Sequence, residues 1–488
     1  MSKLDGVFDR IIAGAWILLA CCSAPDSGAL ASEVHITILH VNDLYEITSV
    51  GGGKRGGFAR VTTLRKQLQA KNPNTFVFFC GDLYSPSGLG NAVVNGEALS
   101  GRQAVAALNE VGIDYMTFGD HEFHIPPDQF YRRLAETEYR MVSSNVFDEE
   151  GQPHPGVAVN AILSAENREG DQVTIGLFGL TESFTSPIPV KYVEPLVAAE
   201  KQVKKLVDKV DILIALTHFD RSIDLELARQ QPEIDLILGG DDHEHMKLEQ
   251  PGLATVYKSD SNARSVHVLD LYFDSETKRL RIEDQLIEVN DSIVEDPRTL
   301  EVVNYWKELA FAGFRASGMD PDKSLGTTPI KLDGLASSIR NRPTELTKII
   351  TKGMLQSGDA SGAEVSYCVT GILRLDDIIP AGSEVFQYDV VRALPFEIGL
   401  VTVIMSGEKL AGALDTGRTR KGTGAFVMSA GASWDSTKSV WLINGDPIDS
   451  ERSYRVVTMG PASPELELVS ENGTLKEAFV AELERTFR

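Results

Sequence analysis

From residue 34 onward, short apolar runs alternate with segments whose apolar residues recur at helical spacing. The runs "VHITIL", "TFVFFC", "DYMTF", "VTIGLF", "DILIAL" and "IDLILG" are brief and continuous, which predicts buried strands. Between them, "FARVTTLRKQLQA", "GRQAVAALNEVG" and "AAEKQVKKLVDKV" have helical spacing. This alternation argues an α/β architecture with helices covering a central sheet. The later runs "ATVYKSD" and "SVHVLDLYF" are expected to complete the sheet as antiparallel strands. Near 291–325 the chain becomes charged and helical, and "RASGMDPDKS" then punctuates it, which predicts a connector into a second domain over 326–488.

Polar residues follow the predicted strands at once. "ITILHVND" ends at Asp43, "FVFFCGD" at Asp82, and "YMTFGDHEFH" passes through Asp120. "ILIALTH" ends at His218, and "LILGGDDHEH" carries Asp241 and His243. In open α/β sheets, ligands bind beyond the carboxyl ends of the strands. A single Asp after a strand is usually a turn or a helix cap. Five such clusters, in a chain with 9 histidines, point instead to one shared site. Mixed aspartate and histidine donors suit Zn, Mn or Fe. His40 and Glu122 are expected to be structural, and His267 to be a strand residue.

Composition narrows the partners. A hydrophobic share of 42% in 488 residues is enough for sizeable cores. The formal charge of −23 argues against nucleic acid and anionic membrane surfaces, which need basic patches. An anionic substrate must then be drawn in by a local cationic site. At the N-terminus, the apolar run Ile11–Cys22 is shorter than the about 20 residues that span a bilayer. It predicts a secretory leader over 1–31, and hence a secreted or periplasmic protein. Cleavage after Ala29-Leu30-Ala31 competes with a lipobox, Leu18-Leu19-Ala20-Cys21, that would leave a lipoprotein anchored through Cys21. An unprocessed N-terminal helix is the third alternative. Loss of the leader leaves Cys80 and Cys368, so at most one disulfide.

In their order, "ND-x-Y", "GD-LYSPS", "GDHEF", "LTH" and "GGDDH" resemble the calcineurin-like metallophosphoesterases, and specifically the secreted two-domain 5′-nucleotidase family. The resemblance covers nearly the whole chain after the leader. It implies a four-layered α/β sandwich domain over 32–290, a helical connector over 291–325, and an α+β C-terminal domain over 326–488 that binds the nucleotide. It also implies two divalent metal ions and hydrolysis of phosphate esters, 5′-nucleotides or related phosphomonoesters first.

Carried over by position, Asp43 and His243 would hold the first metal, Asp82 would bridge both, and His218 would hold the second. His121 would be the acid-site histidine near the leaving group. Four positions depart from the family. Asp120 stands in place of Asn, Asp241 in place of His, Tyr45 in place of the His of the D-x-H pair, and His124 in place of the Asp that orients the catalytic His. Asp120, Asp241 and Tyr45 still bring metal-binding atoms. Four carboxylates can cancel the charge of two divalent cations, which weakens the pull on a phosphoryl oxygen. Harder ligands also move metal preference from Zn toward Mn or Fe. A register in which His243 and His245 form the ligand pair is the alternative to Asp241 with His243.

In the second domain, "RNRPTELTKIITKGM" and "YCVTGILRLDDIIPAG…FQYDVVRALPF" carry the resemblance. Arg340 and Arg374 fall on substrate-binding arginines and Phe396 on a base-stacking aromatic. Val369 replaces a base-contacting Asn, and the second stacking aromatic falls near Pro461. The implied partner is a small phosphorylated molecule, a nucleotide by resemblance. The rival expectations are a phosphoesterase for a non-nucleotide ester, and a weakened or inactive homologue that binds metal or nucleotide.

Overall fold

Along the strand Glu33–Val41, Val34, Ile36 and Ile38 point one way and Leu39 and Val41 the other, and all five are buried. A strand buried on both faces needs a packed layer on each side. The computed structural model, which describes residues 33–487, supplies them. The predicted leader, with its cleavage and lipidation points, lies outside those residues.

Two sheets stack face to face. The first has seven strands in the order Arg279–Glu288, Ser265–Asp274, Glu33–Val41, Thr75–Cys80, Tyr115–Thr117, Arg140–Val142 and Val157–Ala158. The second has six, in the order Met246–Leu248, Thr255–Lys258, Leu236–Gly240, Ile212–His218, Gln172–Thr181 and Asn160–Glu166. Val34, Ile36, Phe78 and Tyr115 meet Ile175, Ile212, Ile214 and Leu236 between the sheets. Outside the first sheet, Leu39, Val77 and Phe79 share a core with the helices Phe58–Lys71 and Arg102–Val111. Outside the second sheet, Phe178 and Ile237 pack with Pro195–Leu206 and Arg221–Gln230. The order is helix, sheet, sheet, helix: four layers.

Two details differ from the expectation. The four layers are those the family resemblance implied, but where strand and helix spacing alone suggested one central sheet, the β-rich segments form two. Thr255–Lys258 is parallel to Leu236–Gly240, not antiparallel, whereas Ser265–Asp274 is antiparallel to Glu33–Val41. The chain leaves Leu236–Gly240, reverses through Met246–Leu248, and reverses again, so the returning strand runs with its neighbour.

The helix Pro297–Ala316 lies within the expected connector. Its Val303, Ala310, Phe311 and Phe314 join the outer core of the first domain, and the Asp296 side chain accepts the Thr299 N–H at 3.1 Å to cap it. The second domain is built on five strands in the order Val427–Ala430, Val365–Val369, Ser453–Met459, Gly399–Ser406 and Glu467–Thr474. The helices Glu345–Ser357 and Leu475–Thr486 fill one face of this mixed α+β unit. Cys80 and Cys368 are buried free thiols.

Candidate metal centre

Parallel strands in both sheets deliver their carboxyl ends to one rim, where the polar clusters meet. Asp43, Asp82, Asp241 and His243 all have left-handed backbones, with φ of 53°, 65°, 78° and 61°. For residues with a side chain this costs about 1–3 kcal/mol each and persists only where the surroundings enforce it. Here they do. Asp43 N–H donates to the Gly81 carbonyl at 3.0 Å, and the Asp43 carbonyl accepts the Asn262 N–H at 2.8 Å. The buried Glu122 carboxylate accepts the backbone N–H groups of Asp82, Leu83, Tyr84 and Gly119 at 2.5–3.2 Å. A Cβ on Gly119 would overlap the Asp82 carboxylate, so this close approach requires glycine.

Two sets of donors face each other across Asp82. In the first, the Tyr45 hydroxyl lies 2.7 Å from Asp82 Oδ2, 3.1 Å from Asp43 Oδ1 and 2.9 Å from His243 Nε2. In the second, His218 Nε2 lies 3.4 Å from Asp82 Oδ1 and 3.8 Å from Asp120 Oδ1, and Asp120, His218 and Asp241 form one cluster. His218 Nδ1–H donates to the Cys80 carbonyl at 2.7 Å, which turns Nε2 toward the carboxylates. That Nε2 is fully buried and has no hydrogen bond of acceptable geometry. Burial, with Asp120 beside it, pushes the Asp82 carboxyl up despite the facing His218. Burial would lower the His218 pKa, but Asp82 and Asp43 raise it well above the usual imidazole range. Burial and the two carboxylates raise the Tyr45 phenol, so in this structure it is the donor to Asp82.

The His121 pair sits at the edge of the second set. Arg374 Nη2 lies 3.1 Å from His121 Nε2, and a guanidinium can only donate. His121 therefore carries its proton on Nδ1, which faces His124 Nδ1 at 2.7 Å. His124 Nε2–H then donates to the Thr185 carbonyl at 2.8 Å. Burial, with Arg374 beside it, holds the His121 imidazole well below its usual range. Arg340 and Arg374, both from the second domain, close a cleft of about 330 Å³ over Asp82, Asp120, Asp241 and His243. Phe396 does not line it; it lines a neighbouring pocket of about 170 Å³ with Pro86, Asn91, His124 and Pro126. His245 points away, half-exposed and bonded to Asp260.

Family models match both halves of the chain: the calcineurin-like phosphoesterase model over 36–245 and the 5′-nucleotidase C-terminal domain model over 324–460. This chain belongs to the calcineurin-like phosphoesterases, in the two-domain 5′-nucleotidase arrangement.

Its relatives are distant. The trifunctional nucleotide phosphoesterase YfkN of Bacillus subtilis is 25% identical over 87% of this chain, which spans 31% of that protein. The 5′-nucleotidase of Diplobatis ommata is 26% identical over 82% of this chain and 74% of its own length. A Thermus thermophilus 5′-nucleotidase precursor superposes with a TM-score of 0.75 at 22% identity, covering 92% of this chain and 96% of that one.

The phosphoesterase fold implies divalent metals, and the donors present fit them. The fully buried His218 Nε2 faces carboxylates without a hydrogen bond to them, and the positive charge those carboxylates favour there is what a cation would supply.

Three contributors escaped the sequence reading. Glu182 joins the cleft, and its carboxyl is raised by burial and by Asp241 and Asp120. Its only sequence signal was its place just after the strand Gln172–Thr181. Lys258 is buried and reaches Asp224 at 2.8 Å, Asp242 at 2.5 Å and the Gly240 carbonyl at 2.8 Å, fixing the turn that carries Asp241. Asp376, from the second domain, lies 2.8 Å from His243 Nδ1. Burial would raise the Asp376 carboxyl, but the His243 imidazole and Arg340 hold it down to about 2. No local pattern marks Lys258, whose Asp242 partner lies 16 positions back, or Asp376, whose partner lies 133 positions away.

Proposed function

We propose that this protein hydrolyses phosphate monoesters at a two-metal centre, with a first pocket of Asp43, Tyr45, Asp82 and His243 and a second of Asp82, Asp120, His218 and Asp241. The observation that carries the reading is the convergence of both donor sets on Asp82, with His218 Nε2 left unbonded between carboxylates. Divalent cations there would polarise the phosphoryl group and supply a nucleophile at neutral pH. Oxygen donors dominate both pockets, which favours Mn or Fe over Zn.

The chain's own groups do the rest. Arg340 and Arg374 give the acidic cleft the positive charge that a phosphate dianion needs. His121 accepts from Arg374 and gives its proton to His124, so it offers none to the departing alcohol. Esters with good leaving groups should therefore react far better than alkyl esters. The alcohol would lie toward Phe396 and His124, in a pocket with one aromatic wall. A nucleoside stacked on one face only is the first candidate, and a smaller non-nucleotide alcohol the second. Export rests on the apolar run Ile11–Cys22.

One observation favours a non-catalytic reading. The Tyr45 phenol, as a donor, already satisfies Asp82 and contacts Asp43, so the first pocket is stable without a cation. Stripped protein reloaded with Mn, Fe or Zn and assayed against 5′-nucleotides, sugar phosphates and p-nitrophenyl phosphate separates the readings. Two bound metals with release of p-nitrophenol, fastest with Mn or Fe, is the expected result. Bound metal without turnover of any ester would leave only the binding role.

A further inference from the structure

A buried chain of charges crosses from the second domain to the first pocket. The Asp376 Oδ2 atom accepts His243 Nδ1–H at 2.8 Å, and each side chain is 3% exposed. Asp376 has a left-handed backbone, φ 44°, and its Oδ1 accepts the Ala336 N–H at 3.2 Å. Its own domain thus fixes the carboxylate, and the carboxylate fixes a ring of the other domain.

A second arm runs in parallel. Asp377 Oδ2 accepts the Gly51 N–H at 2.7 Å and lies 3.3 Å from Arg392. Arg392 lies 3.8 Å from Glu46, whose carboxylate also accepts the Tyr388 hydroxyl at 2.8 Å. Glu46 follows Tyr45 directly, and the N–H groups of both donate to Asn262 Oδ1. The Tyr45 loop and the His243 ring are therefore both braced from the second domain. The second pocket differs: the His218 ring is oriented by the Cys80 carbonyl, within the first domain.

We infer that Asp376 is a positioning residue for the first pocket, turning His243 Nε2 toward Asp43 and Tyr45, so that domain docking and cation binding there favour one another. The inference rests on the reading of the centre as a metal site. Docking and binding share one free energy, so the effect is reciprocal. Removing such an outer partner of a metal-binding histidine costs about 10–100-fold in metal affinity.

The test titrates the metal-stripped full chain with Mn(II), followed by calorimetry and by the paramagnetic resonance of unbound Mn(II). The parent should take up two equivalents. Asp376→Ala should weaken one equivalent by about 10–100-fold and spare the other. Asp376→Asn keeps an acceptor but loses the charge, and should weaken the same equivalent less. A purely structural role would lower both affinities together, and that result overturns the inference. Unchanged affinities in Asp376→Asn, with a melting curve like the parent's, overturn it too, even if the alanine variant fails to fold. A parent that binds no Mn(II) sinks the metal reading itself, which no result on Asp376 alone does.

Discussion

The two pockets share Asp82 and little else. The first is closed: Tyr45, Asp43 and His243 are at most 4% exposed, and its donors are bonded to one another. The second opens on the cleft through half-buried Asp120 and Asp241, is crowded by Glu182, and keeps an unbonded imidazole nitrogen. A site whose donors satisfy each other needs no cation to hold its shape, whereas one that gathers Asp82, Asp120, Asp241 and Glu182 around a single imidazole is short of positive charge. The departures from the family pattern divide along the same line. Tyr45 supplies a proton that quiets the first pocket, while Asp120 and Asp241 add negative charge to the second.

Asp82→Asn strikes both pockets and should have the largest effect. Losing several kcal/mol of charge stabilisation, at 1.36 kcal/mol per factor of ten, lowers p-nitrophenyl phosphate hydrolysis by about a thousandfold or more. Metal analysis should fall from two equivalents to fewer than one, and retention of both would undo the shared-ligand picture.

Lys258→Met acts on the turn that carries Asp241. It leaves Asp224 and Asp242 buried without their cation, which costs about 3–5 kcal/mol of stability. Denaturant unfolding should report that loss, and an unchanged midpoint would show that the turn at Gly240 holds itself.

Tyr45→Phe acts on the first pocket. Removing a hydroxyl bonded to a carboxylate costs about 1.5–3 kcal/mol in the metal-free protein. Parent protein loaded with ferric iron should show a visible phenolate charge-transfer band, and the phenylalanine variant should not. Colour that survives the substitution would remove Tyr45 from the ligand set.

The smallest change is a gain. Asp120→Asn with His124→Asp relieves charge in the second pocket and gives His121 a carboxylate partner, which lets it hold a proton at Nε2. Hydrolysis should rise by about tenfold, below the ceiling for general acid catalysis, and more for an alkyl phosphate than for p-nitrophenyl phosphate. The pair should exceed the product of the single changes, because the groups touch the same ring. Equal gains for both esters would mean that no proton transfer was restored.

Much of this was legible in the chain. Strand period and strand-end polarity are local properties, so the runs ending at Asp43, Asp82 and His218 announced both the sheets and the rim. The helices Phe58–Lys71 and Arg102–Val111 followed from apolar spacing in the same way. The split into two sheets did not, because apolar runs look alike whichever sheet they join. Phe396 was placed by alignment with a family motif, and only packing put it in the pocket beside His124.

By itself, then, the sequence determined which segments become strands and helices and which donors stand at the strand ends, because both follow from spacing along one chain. The tertiary structure alone decided which donors meet. Asp376 reaches His243 across 133 positions, Lys258 meets Asp224, and Arg374 claims the lone pair of His121 from 253 positions away. Those contacts set the charge and proton inventory of the centre. They depend on how two domains pack, and packing is a property of the whole chain that no short window of residues encodes.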